Sequence, residues 1–297
     1  MKLKFRTILI LHFSFLILLV NSCKTEVPDT SADSESIVTE EVETDNTGSI
    51  FYSIPSPMEL GALLHRAGVS YNSELLNPTD KASQYIGTSS KALNLGVYVA
   101  DLSYTTASNK MQESMNYLNS ARILSEELGL KSFSGEMMLE IEKNLDKKDE
   151  LIKLVSEAYQ SSNETLTEND RETISILAIT GGWIEGIYIG TQIAKTNANN
   201  SGIIKMIAEQ RTTLDNLISQ MKPHKSNLAI GSLLNSLNDL KKIYDETPVG
   251  EASAEIDVRE GSNQITIGGT SGFSLSDDQF SRITKTVDEI RTSIVKI

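Results

Sequence analysis

The 297-residue chain has one cysteine, one tryptophan and three histidines, and its 27 Lys and Arg are outnumbered by 40 Asp and Glu. Each scarcity closes off a kind of chemistry. A lone cysteine cannot form an internal disulfide, a Cys-based metal cluster or a CxxC redox pair. Past the N-terminal leader only His65 and His224 remain, and neither stands in the Glu-x-x-His pattern of a di-metal carboxylate bundle. No cluster of Lys and Arg is present to displace counterions from phosphates, which argues against nucleic acid as a partner. The same shortage disfavours peripheral attraction to anionic lipid. HExxH, GxSxG, P-loop and dinucleotide-binding glycine patterns are all missing. A Ser-His-Asp arrangement is spatial and stays open, although no strained nucleophile turn is visible.

What is present begins with the leader. Lys2, Lys4 and Arg6 precede an apolar run of 14 residues, Thr7 to Val20, which ends at Asn21. Spanning a bilayer takes about 20 apolar residues. A positive start, a short apolar core and a small residue at the break make a secretory signal the better reading.

The cysteine refines this. Residues 20–23, "VNSC", resemble the lipobox of bacterial lipoproteins, in which an aliphatic, a variable and a small residue precede an invariant Cys. Val20 and Ser22 fit that pattern, and Asn21 is unusual at its position. The resemblance implies cleavage before Cys23, a diacylglycerol on its thiol and an acyl chain such as palmitate on its new amino group. Two or more acyl chains anchor stably where one does not. Lys24, in place of the Asp that retains many such lipoproteins in the inner membrane, implies the outer membrane, on its periplasmic or surface face. The expected organisation is a signal peptide (1–22), an acidic tether (23–50), a helical domain (51–246) and a hairpin plus C-terminal helix packing on it (247–297).

From Lys24 to Ser49 the chain carries eight acids against one base and no aromatic residue, a composition that predicts a disordered spacer. At this length its root-mean-square span would be about 25–30 Å, enough to hold a domain clear of lipid. Losing the leader removes three cations and no acid, so the formal charge of −13 becomes −16.

The remainder reads as all-α, a multi-helix bundle. "SPMEL" combines an N-cap at Ser56, a proline at Pro57 and a capping-box Glu59, with Leu60, Leu63, Leu64 and Ala67 as the buried stripe and Gly68 as the stop. "LNPTD" predicts another helix start at Asn77 and Pro78. Met111, Met115, Leu118, Ala121, Leu124 and Leu128 hold helical spacing up to Gly129, with Leu130 placed for a Schellman end. That methionine stripe reads as packed core rather than a cofactor box. Met137, Met138, Ile141 and Leu145 line a further helix, and Leu151, Leu154, Val155 and Ala158 another. One more is expected from Ile203 to Met221, stopping at Pro223. The next is marked by Ile230, Leu233, Leu237, Leu240 and Tyr244. Alternation of Ile256 and Val258, then Ile265 and Ile267, predicts a short β-hairpin. "LSDDQF" opens a long C-terminal amphipathic helix with a capping box (Ser276, Gln279) and a staple (Leu275, Phe280). Its seam of Phe280, Ile283, Val287, Ile290, Ile294 and Ile297 suits packing on one partner helix, preferably of the same chain.

Two segments are apolar nearly all round, "KALNLGVYVADLSY" and "ISILAITGGWIEGIYIGTQIA", and both should be buried. Small residues recur every four positions, at Ala92, Gly96 and Ala100 and at Ala178, Gly182, Gly186, Gly190 and Ala194. Each helix thus presents a flat stripe for close backbone approach. Such spacing also marks membrane helix pairs, but Glu185 and Asp101 inside the runs favour a protein core. "GVYVA" and "GIYIG" lie 90 positions apart and suggest a degenerate duplication, with the two helices packed together near a pseudo-twofold axis. The wording from Ile54 to Glu246 resembles helical lipoproteins of unknown function from Gram-negative bacteria, a resemblance that implies no activity.

Asp101 and Glu185 are the carboxylates to explain. Brought together and desolvated, they could share a cation or a proton, and with Asn94, Tyr98 and Tyr188 they form the candidate ligand-binding set. The other reading is that each reaches solvent or satisfies a buried donor. Trp183, beside the glycine stripe, reads as core. No catalytic residue, metal ligand or free cofactor is expected; the only adduct is the lipid on Cys23. The leading expectation is a non-enzymatic envelope lipoprotein acting through protein contact. The alternatives are small-molecule or cation binding between the glycine-lined helices and, behind it, an enzyme of envelope polymers.

Overall fold

The computed structural model describes residues 70–130, 135–144, parts of 147–161, 171–196, 201–246 and 274–297, with the backbone of 253–258 and 265–270. The leader, Cys23, the acidic tether, the helix expected at Ser56 to Gly68, and Leu145 and Val155 lie outside the described residues. Eight α-helices are present among the described residues: α1 (Thr88–Ala107), α2 (Met111–Glu127), α3 (Gly135–Lys143), α4 (Glu172–Thr196), α5 (Ser201–Glu209), α6 (Arg211–Met221), α7 (Leu228–Asp245) and α8 (Asp277–Ile294). The helical body is all-α. Between α7 and α8 the backbones of β1 (Ser253–Val258) and β2 (Ile265–Thr270) pair antiparallel, with Ile256 opposite Ile267.

Helix α4 is the hub, touching α1, α5, α6 and α8, while α2 backs onto α1 and α7 contacts both α6 and α8. Helix α4 is long and apolar enough to cross a membrane, yet 89% of its most apolar window is buried inside the protein. Its most extensive partner is α1, and glycine sets how close the two come. A methyl on Gly96 would collide with the Ala178 carbonyl oxygen and lie 2.6 Å from the Gly182 nitrogen. One on Gly181 would collide with the Leu93 carbonyl oxygen and lie 2.8 Å from its carbon. Backbone meets backbone here, which offsets the intrinsic helix cost of glycine.

Local signals hold at most helix ends. Gly129 adopts φ +72°, and the Leu130 and Gly129 amides donate to the Ser125 and Glu126 carbonyls (both 2.9 Å), a Schellman end. Ser276 and Gln279 form the reciprocal capping box, and Leu275 and Phe280 pack against the core. Asn227 caps α7, burying Ile230, Leu233, Leu237, Leu240 and Tyr244. Leu118, Ala121, Leu124 and Leu128 are buried, with Met111 and Met115 half-buried against them, so the methionines are core. Ile141, Leu151, Leu154 and Ala158 are buried too.

Three expectations need correction. "LNPTD" opens a 3-10 helix at Thr79 rather than an α-helix, and Asn77 caps nothing because its side chain turns inward. The helix expected from Ile203 to Met221 is two, broken at Gln210, whose ψ of −3° leaves the helical path. There the Gln210 side chain accepts from Trp183 Nε1 at 3.1 Å, satisfying an indole N–H that is otherwise buried. The end of this segment is as expected: α6 stops at Met221, and Pro223 falls in the 3-10 turn Lys222–His224 that follows, where a first-turn proline is tolerated. The C-terminal seam packs on two helices, α4 and α7, and ends at Ile294; Ile297 is 60% exposed and Val295 is buried in its place.

Gly96→Ala and Gly181→Ala should each lower unfolding free energy by at least ~2 kcal/mol, because rigid backbone cannot yield to the added methyl. Gly202→Ala, at a helical position with nothing within 4 Å, should instead stabilise by up to about 1 kcal/mol. Denaturant midpoints of the three variants check the contrast.

Candidate functional site

Residues four or eight apart share a helix face. With Leu93 laid on Gly181, that rule directs Asp101 of α1 and Glu185 of α4 into one seam, and both are fully buried. The third member comes from the far end of the chain. Arg291 of α8 donates from Nε to Glu185 Oε2 and from Nη2 to Oε1, both at 3.0 Å. This bidentate fork uses the rigid donor geometry of guanidinium. Nη2 also donates to the Leu75 carbonyl at 3.2 Å, and the guanidinium lies 4.6 Å from the Tyr188 ring centroid.

Asp101 is held differently. Its Oδ2 accepts the Asn77 backbone N–H at 3.1 Å, and no donor reaches its Oδ1. Asn77 Nδ2 donates to the Tyr85 hydroxyl (2.9 Å) and to Asn94 Oδ1 (3.4 Å). Asn94 Nδ2 donates in turn to the Ile294 carbonyl at 2.9 Å, and the Tyr85 hydroxyl to that of Val295 at 3.4 Å. The end of α8 is therefore capped by side chains from the opposite side of the sequence, which meets carbonyls that a helix leaves unpaired.

Burial pushes Asp101 well above the usual carboxylate range, and the negative charge of Glu185 pushes it further, against the pull of Arg291 and the Asn77 N–H. Burial also raises Glu185, but Arg291 opposes it by charge and by hydrogen bonding. Desolvation would lower Arg291, yet the Glu185 charge and hydrogen bonds more than offset it and the guanidinium is held above its ordinary value. Burial likewise raises the hydroxyls of Tyr85, Tyr98 and Tyr188.

Of the candidate set, Asp101, Glu185 and Asn94 meet in this one network, and Tyr188 lies against its arginine. Tyr98 is buried beside it but donates to the Pro78 carbonyl at 2.9 Å rather than to a carboxylate. Trp183 is core. Among the described residues no group of three His, Cys, Asp or Glu side chains could hold a metal ion. Sequence reasoning missed Arg291, Asn77 and Tyr85. The arginine had left a trace, since it stands four residues after Val287 and three before Ile294, on the flank of an apolar seam. No protein-family model, curated protein or solved structure matches the chain.

With both Glu185 oxygens engaged by the chain's own cation, the cluster's chemistry is that of a buried ion pair. Removing one partner of such a pair strands the other charge. Arg291→Met should cost about 3–5 kcal/mol and release α8, read by equilibrium unfolding and by hydrogen exchange in α8. Adding Glu185→Leu to Arg291→Met should recover part of that loss.

Proposed function

We propose that this protein is a lipoprotein anchored to the outer membrane through Cys23, and that its helical domain serves the cell envelope by protein contact, without catalysis. The anchor rests on the leader, the apolar core and the "VNSC" motif occurring together. One structural observation carries the non-enzymatic reading: Asp101, Glu185, Asn94 and Tyr98 are all fully buried, and Arg291 already supplies the positive charge that Glu185 requires. A substrate would find none of these four at the surface. The same arginine weighs against the cation-binding alternative, since it stands where a bound cation would balance the carboxylates.

The duplication belongs to this proposal as well. Helices α1 and α4 pack against each other, which supports treating them as counterparts, although their matched tyrosines have diverged. Tyr98 is fully buried and bonded to Pro78, whereas Tyr188 is half-buried under Arg291.

Expressed in a bacterium with lipoprotein processing, the parent chain should fractionate with outer membrane and incorporate an alkyne-tagged palmitate analogue. Cys23→Ser should lose the label and the membrane association together. Equal membrane binding by both chains would overturn the anchor. Pull-down from detergent-solubilised envelope should recover a stoichiometric protein partner; ligand-induced thermal shifts with no such partner would instead favour small-molecule binding.

A further inference from the structure

Two carboxylates and one guanidinium share a seam closed to solvent, and the hydrogen-bond inventory does not balance as drawn. Arg291 occupies both oxygens of Glu185. Asn77 occupies Oδ2 of Asp101, and Oδ1 of Asp101 is a fully buried acceptor with no donor. An ionised Asp101 would thus place a second negative charge beside Glu185 with one oxygen unpaired. A buried polar atom left so is costly, and an unbalanced buried charge more so.

We propose that the seam is a binding site for a single proton, carried by Asp101 at neutral pH and donated to Glu185, and that this proton keeps α8 seated. A proton on Asp101 converts the orphan acceptor into a donor. Glu185, with about four lone-pair positions on its two oxygens, can accept it while still bonded to Arg291. The cluster is then neutral overall: one carboxylate, one guanidinium and one carboxylic acid. Loss of the proton leaves two negative charges facing one cation, and the mismatch falls on the contact that holds α8 to α4.

The groups around Asp101 suit this role. Glu185 and Tyr188 face it from α4, Arg291 from α8, Tyr117 from α2 and Tyr98 from its own helix. Tyr85, from the turn before α1, feels the charges of Glu185 and Arg291. The tyrosines are all shifted upward and stay neutral, so among these described groups only Asp101 and Glu185 are available to exchange a proton. Asp101 is raised in the fold, so the folded protein holds a proton that the unfolded chain releases near pH 3.9. The stability this proton contributes is fully present below that pH and is lost as pH rises towards the folded value.

Asp101→Asn tests this, because its amide mimics the protonated acid: Nδ2 can donate to Glu185 while Oδ1 accepts from Asn77. Between about pH 5 and 7 the unfolding constant of the parent, relative to Asp101→Asn, should rise about tenfold per pH unit. Corrected for intrinsic exchange, protection of α8 should fall with pH in the parent and not in the variant. Infrared difference spectra of the parent at neutral pH should show a protonated carboxylic-acid carbonyl band, moved by 13C-aspartate but not by 13C-glutamate labelling. This last measurement needs no variant. A parallel pH dependence in the two proteins, no acid band at neutral pH, or a band that follows the glutamate label would each overturn the proposal.

Discussion

The backbone of α1 lies directly on the backbone of α4, and the rest of the domain answers to that contact. Gly96 and Gly181 admit it because a single methyl at either would strike a carbonyl oxygen of the facing helix. Helices this close leave no layer of side chains between them at the crossing. Whatever polar groups flank the crossing are pressed into the same dry seam, and here those groups are carboxylates. Close packing and buried charge are thus one feature.

A seam with two acids cannot be closed by apolar side chains. The chain solves this with Arg291, 106 residues beyond Glu185, and so makes its last helix part of the core. The dependence runs both ways. Arg291 neutralises Glu185, while Asn94 of α1 and Tyr85 of the preceding turn take up the final carbonyls of α8. Replacing a buried pair by apolar groups of similar volume is often neutral or stabilising. The network therefore serves placement of α8 more than it adds to stability.

This division of labour bears on the proposed function. Asp101, Glu185, Asn94 and Tyr98 are turned inward and take part in assembling the fold, in keeping with the proposed role through surface contact. A lipid on Cys23 followed by an acidic spacer would supply location and reach without asking anything of the fold.

Most of the architecture was legible because it depends on local rules. Helix ends at Gly129 and Ser276 follow from capping chemistry within a few residues, and the burial of α1 and α4 follows from their lack of a polar face. Asn77 was misread because the same Asn-Pro pair serves a cap or an inward turn, and the partners its side chain meets when turned inward, Tyr85 and Asn94, are set by the tertiary fold. The break at Gln210 left no local mark, and the partner its side chain meets there, the Trp183 indole, is 27 residues away. The contact between α1 and α4 also uses Gly181, one position off the expected stripe. The sequence alone determined most of the helices, the small residues that let those two approach and the presence of two acids that burial would make costly. Which cation meets them was decided only in three dimensions, because helical periodicity tells a residue its face but not the partner that a distant segment will bring to it.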